Sequence, residues 1–202
     1  MRELERELRR GTSERGDALE ASRRFLESAE RAGLVEVAYS VVGSPLGDLL
    51  LASTERGLVR VSFFFGESLD DVLEELARHV STRVLEVSAR LDQARRELDE
   101  YFDRRRRTFQ VGVDLRLIRS DFRKRVLEVA RAIPYGDVAT YRQVATGAGN
   151  PAAVRAAGSA LGANPVPIVV PCHRVLRTDG SMGGYGGGLD RKLRLLKLEG
   201  AA

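Results

Sequence analysis

Residues 164–175, NPVPIVVPCHRV, hold the single cysteine of the chain, Cys172, and one of its two histidines, His173. Ile168–Val170 reads as a buried strand that Pro171 ends, so a proline-rich turn would present the sulfur at a strand end. A lone buried cysteine is ordinarily an inert small hydrophobe. This one is followed directly by His173 and then Arg174, and the reactive form of a cysteine is its thiolate. Cationic or acid–base neighbours would raise that fraction. Adjacent residues seldom point the same way, so His173 would reach Cys172 through a water, and a carboxylate would be needed to orient the imidazole. One cysteine and two histidines leave no internal disulfide, no multi-cysteine zinc site and no protein-only transition-metal site; no metal or other cofactor is expected. They also point to a reducing, intracellular setting.

Upstream of this stretch the chain is helical and rich in small residues. Ser120–Ala132 is expected to be a helix with Phe122, Val126, Leu127 and Val129 turned inward, followed by a turn at Ile133–Gly136. Thr140 and Gln143 have the spacing of a capping box, which opens a short helix ending near Gly147. Asn150 then serves as N-cap, with Pro151 at the first position of a helix that runs to Gly162. Two short helices joined by a glycine-containing turn make a helix-turn-helix candidate, although many helical hairpins bind nothing. A recognition helix offers several long polar side chains to base edges. This one has a lone Arg155 beside Ala156, Ala157 and Gly158. Such a helix can approach a narrow minor groove with the arginine as a wedge. Tight packing on a neighbouring helix accounts for some of the same small residues.

Downstream, GSMGGYGGG at 180–188 lacks the strand–GxGxxG–helix context of a nucleotide fingerprint. It reads as a loop whose free amides and Tyr185 can contact a planar ligand. LDRKLRLLKLEG closes the chain as an amphipathic helix with Glu199 at its end.

The N-terminal half has a different texture. LVEVAYSVV (34–42), DLLLAS (48–53) and LVRVSFFF (58–65) predict three antiparallel strands separated by turns at Gly43–Gly47 and Glu55–Gly57. Helices follow at Ser68–Val80 and roughly Ala89–Arg106, and Thr108–Leu117 reads as a strand and connector. The run Arg104–Arg107 then sits at a helix C-terminus, where the dipole accounts for it as well as nucleic acid would. Residues 1–33, sparse in apolar positions and dense in Arg and Glu, read as a helical extension with no secretory signal. No stretch is apolar enough to span a membrane.

Charge is unevenly divided. Residues 115–202 carry 14 Lys+Arg against 6 Asp+Glu, and residues 1–114 carry 19 against 23. The basic half suits a polyanion such as nucleic acid, and surface solubility is the bland explanation.

PCHRV at 171–175, with NPVPIVV before it and GGYGGGLDRK after it, resembles the active site of the O6-alkylguanine-DNA alkyltransferases, the methylated-DNA–protein-cysteine methyltransferases. The likeness continues upstream through IPYGDVATY, the GNP turn and VRAAGSALGANP. It implies an α+β fold: an N-terminal ribonuclease H-like domain at 34–114 with a three-stranded antiparallel sheet and helices, then a helical domain at 115–202 with the helix-turn-helix and the active-site cysteine. The implied partner is double-stranded DNA containing O6-alkylguanine, bound by a cytoplasmic, nucleoid-associated monomer. By the same resemblance Cys172 accepts the alkyl group, His173 is its water-mediated base, Glu199 orients His173, and Asn164 braces the turn. Arg155 enters the minor groove, with Ala156, Ala157 and Gly158 beside it on the DNA-facing helix. Tyr141 pushes the 3′ phosphate and donates to the base, Tyr185 and the Gly186 amide contact O6, and the carbonyls of Cys172 and Val175 read the exocyclic amine. Lys192 belongs to the cysteine-side network.

Two departures from the family pattern stand out. Many members have serine at the position of Gly186, and the cysteines of the zinc site that some relatives carry are absent. The rival readings are a binding-only relative that recognises alkylated DNA without repairing it, a helix-turn-helix regulator, and a cysteine hydrolase. Retention of Cys172, the scarcity of base-reading side chains on the second helix, and the adjacency of Cys172 and His173 count against each in turn.

Overall fold

The computed structural model describes residues 32–202 together with Ala21, Arg24 and Ser28. Residues 1–36 and 37–202 form separate units. The helical extension expected over 1–33 lies almost wholly outside the described residues.

In the larger unit, β1 (Val37–Val42), β2 (Leu49–Thr54) and β3 (Gly57–Ser62) form the antiparallel meander expected from their apolar runs. A short β4 (Val84–Glu86) adds to β1 in parallel, so the order is β3-β2-β1-β4 and the sheet has four strands instead of three. Side chains alternate across a strand, and the buried central strand β2 uses both faces. Leu50 and Ala52 join Val37, Val59 and the Val72–Leu76 stripe of α1 (Leu69–His79) in a small core. Leu49 and Leu51 face the larger core, which runs on into the C-terminal helices. Ser68 and Asp71 close a reciprocal capping box at the start of α1.

The second helix is shorter than its sequence suggests. A 3-10 turn at Ser88–Leu91 leads into α2 (Asp92–Phe102), and Arg104 at φ 60° ends it. The arginine run therefore lies past the helix. Arg106 pairs with Glu100 at 2.8 Å, Arg105 with Asp103 at 2.7 Å, and the Arg107 guanidinium stands 5.7 Å from the Tyr135 ring centre. Side-chain partners hold Arg105, Arg106 and Arg107 just past the C-terminus of α2. Residues 108–117 form no strand either. The Leu58 amide donates to Gly112 O and the Asp114 amide to Leu58 O, both at 2.8 Å, in an isolated bridge. That approach requires Gly57: its φ is +126°, and a Cβ there would lie 2.2 Å from the Gly112 carbonyl.

The C-terminal part is helical as expected. It comprises α3 (Asp121–Arg131), α4 (Tyr141–Gly147), α5 (Val154–Gly162) and α6 (Leu189–Glu199), with β5 (Ala139–Thr140) parallel to β6 (Val175–Leu176). Thr140 and Gln143 form the capping box read from the sequence. Asn150 caps less than expected. Its side chain accepts from the Ala152 amide at 3.2 Å and its carbonyl from Ala153, closing a single turn, so α5 begins at Val154 and not at Pro151. Ile168–Val170 is buried but is not a strand. Ile168 at φ 73° turns the chain back, a conformation that costs a β-branched residue about 1–3 kcal/mol.

Candidate active site around Cys172

Cys172–Arg174 is one 3-10 turn, packed against α3 and α6. Asn164 braces the strained segment before it. Its Nδ2 donates to Val170 O at 2.8 Å and to Cys172 Sγ at 3.1 Å, while its Oδ1 accepts from the Val166 amide at 3.0 Å. Cys172 is only 5% exposed. Burial pushes the thiol up to about 11, against the Asn164 hydrogen bond and the Lys192 charge. In the resting protein the thiol is therefore held neutral, because neighbouring charge does not offset its burial, and the acid–base relay through His173 is the route left open. Arg174 turns away, donating to Glu199 and to Ile133 O.

The carboxylate that the histidine needs is present. His173 Nε2 lies 2.9 Å from Glu199 Oε1, with both side chains wholly buried. Burial holds the His173 pKa below the ordinary histidine value even though Glu199 favours the charged ring. The imidazole is thus neutral, with Nε2–H donating to Glu199. Its Nδ1 has no hydrogen-bond partner among the described residues, which leaves that lone pair able to accept a proton. Burial opposes the charge on Glu199, yet donors from His173, Arg174 and Tyr101 prevail and bring its pKa down to about 2.

Three further groups close the site. Lys192, fully buried, donates from Nζ to Val175 O at 2.6 Å, and burial lowers its pKa to about 8. The Tyr185 ring stands edge-on to His173, 6.4 Å between centres, and its buried hydroxyl has no partner among the described residues. Tyr141 packs so tightly on the loop that a Cβ on Gly183 would meet its hydroxyl at 2.2 Å. Both tyrosines are raised by burial first and the Cys172 charge second.

Two openings meet here. A groove of about 550 Å³ is lined by Tyr141, Arg155, Gly158, Arg177 and Gly183–Gly186. A cavity of about 330 Å³ beside it is lined by residues that include Phe63, Asn164, Pro167 and Cys172. Gly162, Tyr185 and Gly186 belong to both. On α5, Arg155, Ala156 and Ser159 are exposed and Gly158 is half-buried, whereas Ala157 is turned into the core with Ala160 and Leu161. Ala157 therefore offers no side chain to a ligand in the groove.

A model of the ribonuclease-like domain of 6-O-methylguanine DNA methyltransferase matches residues 37–115, and a model of that protein's DNA-binding domain matches residues 121–201. This chain belongs to the 6-O-methylguanine DNA methyltransferase family. A methylated-DNA–protein-cysteine methyltransferase from Methanosarcina barkeri is 37% identical over 163 residues, covering 80% of this chain and 96% of that protein. One from Rattus norvegicus is 36% identical over 179 residues, 84% of this chain and 85% of that protein. The structure of Mycobacterium tuberculosis OGT in complex with DNA matches with a TM-score of 0.69 at 34% identity, covering 81% of this chain and 93% of that one. The resemblance read from PCHRV and its flanks, and the α+β class it implied, are borne out.

Within this methyltransferase-family chain the structure brings Cys172, His173, Glu199, Asn164, Lys192, Val175, Tyr185, Gly186 and Tyr141 around one centre, with Arg155 at the groove. Sequence reading missed Arg177, which lines the groove together with Arg155, and Arg174 as a two-nitrogen clamp on Glu199. It also missed Tyr101, whose hydroxyl donates to Glu199 Oε1 at 2.6 Å from 98 residues away. The adjacency of Arg174 to the motif was a usable signal; nothing in the sequence pointed from Tyr101 to Glu199.

Among the described residues no helix is long and apolar enough to cross a membrane, and no His, Cys, Asp and Glu side chains cluster as a metal site.

Proposed function

We propose that this protein repairs DNA by moving an alkyl group from O6 of guanine to Cys172 Sγ. The reading rests above all on the Cys172 turn, where a braced thiol adjoins a neutral His173 anchored by Glu199. A thiol held near 11 needs a base, and the open Nδ1 of His173 takes its proton through a water. The sulfur lone pair then attacks the alkyl carbon in line with the C–O bond. The S–C bond forms, the C–O bond breaks, and its electron pair goes to the purine, which gains a proton as guanine. The proton lost by the thiol balances the one gained by the base. A thioether remains that none of the described residues is placed to cleave, so each molecule acts once.

The O6 carbon is out of reach inside a duplex, so the nucleotide must be extruded at a cost of a few kcal/mol. Arg155, the only long side chain on the exposed face of α5, fills the gap it leaves. The groove between Arg155 and the glycine-rich loop receives the base, Tyr141 meets the 3′ phosphate and donates to the base, and Tyr185 and the Gly186 amide meet O6. Val175 O shares its lone pairs between Lys192 and the exocyclic amine, which the Cys172 carbonyl also accepts. The protein works as a monomer on double-stranded DNA in the cytoplasm, at the nucleoid. Mixed with excess duplex containing O6-methylguanine, it is expected to restore guanine mole for mole and then stop. Continued turnover, or no restored guanine, refutes the reading; Cys172→Ala should restore none.

A further inference from the structure

Helix α2 buries one face at helical spacing: Ala94, Leu98 and Tyr101 are at most 3% exposed. Tyr101 is fully buried, its ring within 6.0 Å of Phe102, Phe109 and Tyr135. Phenylalanine would fill that volume equally well, so the hydroxyl needs a separate account. It donates to Glu199 Oε1 at 2.6 Å, the same oxygen that holds His173 Nε2 and Arg174 Nη2, each at 2.9 Å. Arg174 Nε at 2.8 Å and the Gly136 amide at 3.3 Å occupy Oε2. A carboxylate offers about four lone-pair sites, and five donors converge on this one.

We infer that Tyr101 is a positioning residue of the alkyl-transfer site, a hydroxyl supplied by the ribonuclease-like segment that fixes the Glu199 carboxylate and so sets the orientation and basicity of His173. The inference rests on the proposed function. With its lone pairs filled, the carboxylate cannot turn, and the imidazole it holds keeps Nε2 on Glu199 and leaves Nδ1 without a hydrogen-bond partner among the described residues. Each donor on Oε1 also draws charge from the atom facing Nε2–H. Without the phenol, Oε1 pulls harder on that hydrogen, and the imidazole holds an added proton more firmly. The other titratable and charged groups around the relay are Cys172 and Arg174 in its own turn, Lys192 on α6, Tyr135 before β5 and Tyr185 in the glycine-rich loop; Arg104 and Arg107 lie beside Tyr135.

The test is the pH profile of single-turnover alkyl transfer from an O6-methylguanine duplex, with duplex affinity measured alongside. Tyr101→Phe is expected to lower the plateau rate by about tenfold, the scale of one hydrogen bond to a charged group, and to move the acid limb to higher pH. Duplex affinity should stay unchanged. 3-Fluorotyrosine placed at position 101 alone, a stronger donor, should move the limb to lower pH. If the limb of Tyr101→Phe coincides with that of the parent, the hydroxyl only packs and the inference is overturned, whatever the melting temperature does. Should Tyr101→Phe fail to fold, the fluorotyrosine protein decides alone: an unmoved limb overturns the idea. A parent that transfers no alkyl group sinks the proposed function, and this inference with it.

Discussion

The Cys172 thiol is held protonated by its burial, and that fixes how it should respond to pH. Its pKa is raised to about 11, so the stability gained by keeping the thiol neutral is full below the ordinary thiol range and is lost as pH rises toward 11. Reactivity runs the other way. Without DNA, alkylation of the folded protein by iodoacetamide is expected to be slow at neutral pH and to climb as pH approaches 11; labelling at neutral pH as fast as that of free cysteine would contradict it. Glu199 has the opposite sign. With its pKa near 2, it contributes on the order of 3 kcal/mol above the ordinary carboxylate range, lost as pH falls toward 2. Glu199→Gln should therefore flatten the acid side of a melting-temperature profile, and an unchanged slope would show that the carboxylate is not so engaged. Cys172, His173 and Glu199 were legible because the residues around them carry the family motif. Tyr101 and Arg177 were not: Tyr101 acts through a tertiary contact, and Arg177 sits among many exposed arginines with no motif to single it out.

At the level of elements, the proposed working surface is α5, where Arg155 is the only long side chain on the exposed face. Arg155→Ala is expected to slow repair in duplex DNA far more than reaction with free O6-benzylguanine, because only the duplex requires a nucleotide to be displaced. Equal slowing of both would remove the wedge from the account. One local signal was read correctly, the capping box at Thr140, because it is decided by residues three apart. Signals that depend on distant contacts misled. Ile168–Val170 has the composition of a strand, but its burial comes from packing and Asn164 ties it into a turn. Strand β4 is three residues long and only partly buried, too short for alternation to show. Thr108–Leu117 is held by the Glu97 carboxylate, which accepts from the Gln110 and Val111 amides at 2.7 and 3.2 Å, not by a ladder.

For the whole molecule, the sequence-level charge division meets the geometry. The basic half contains the groove, with Arg155 and Arg177 on its walls. Binding to duplex DNA is expected to tolerate sequence and to weaken steeply as salt rises, since phosphate contacts release counterions; a flat salt response would contradict a phosphate-tracking surface. The division of labour between halves was only partly legible. The acidic half supplies Tyr101 and Phe63 to the cysteine site, which no reading of composition could have shown. The most direct measurement is the intact mass of the protein, with peptide mapping, after incubation with an O6-methylguanine duplex. The account predicts a gain of one CH2, carried by the Cys172 peptide and absent from Cys172→Ala. An unchanged mass while the DNA regains guanine, or a methyl group on any other residue, would contradict it.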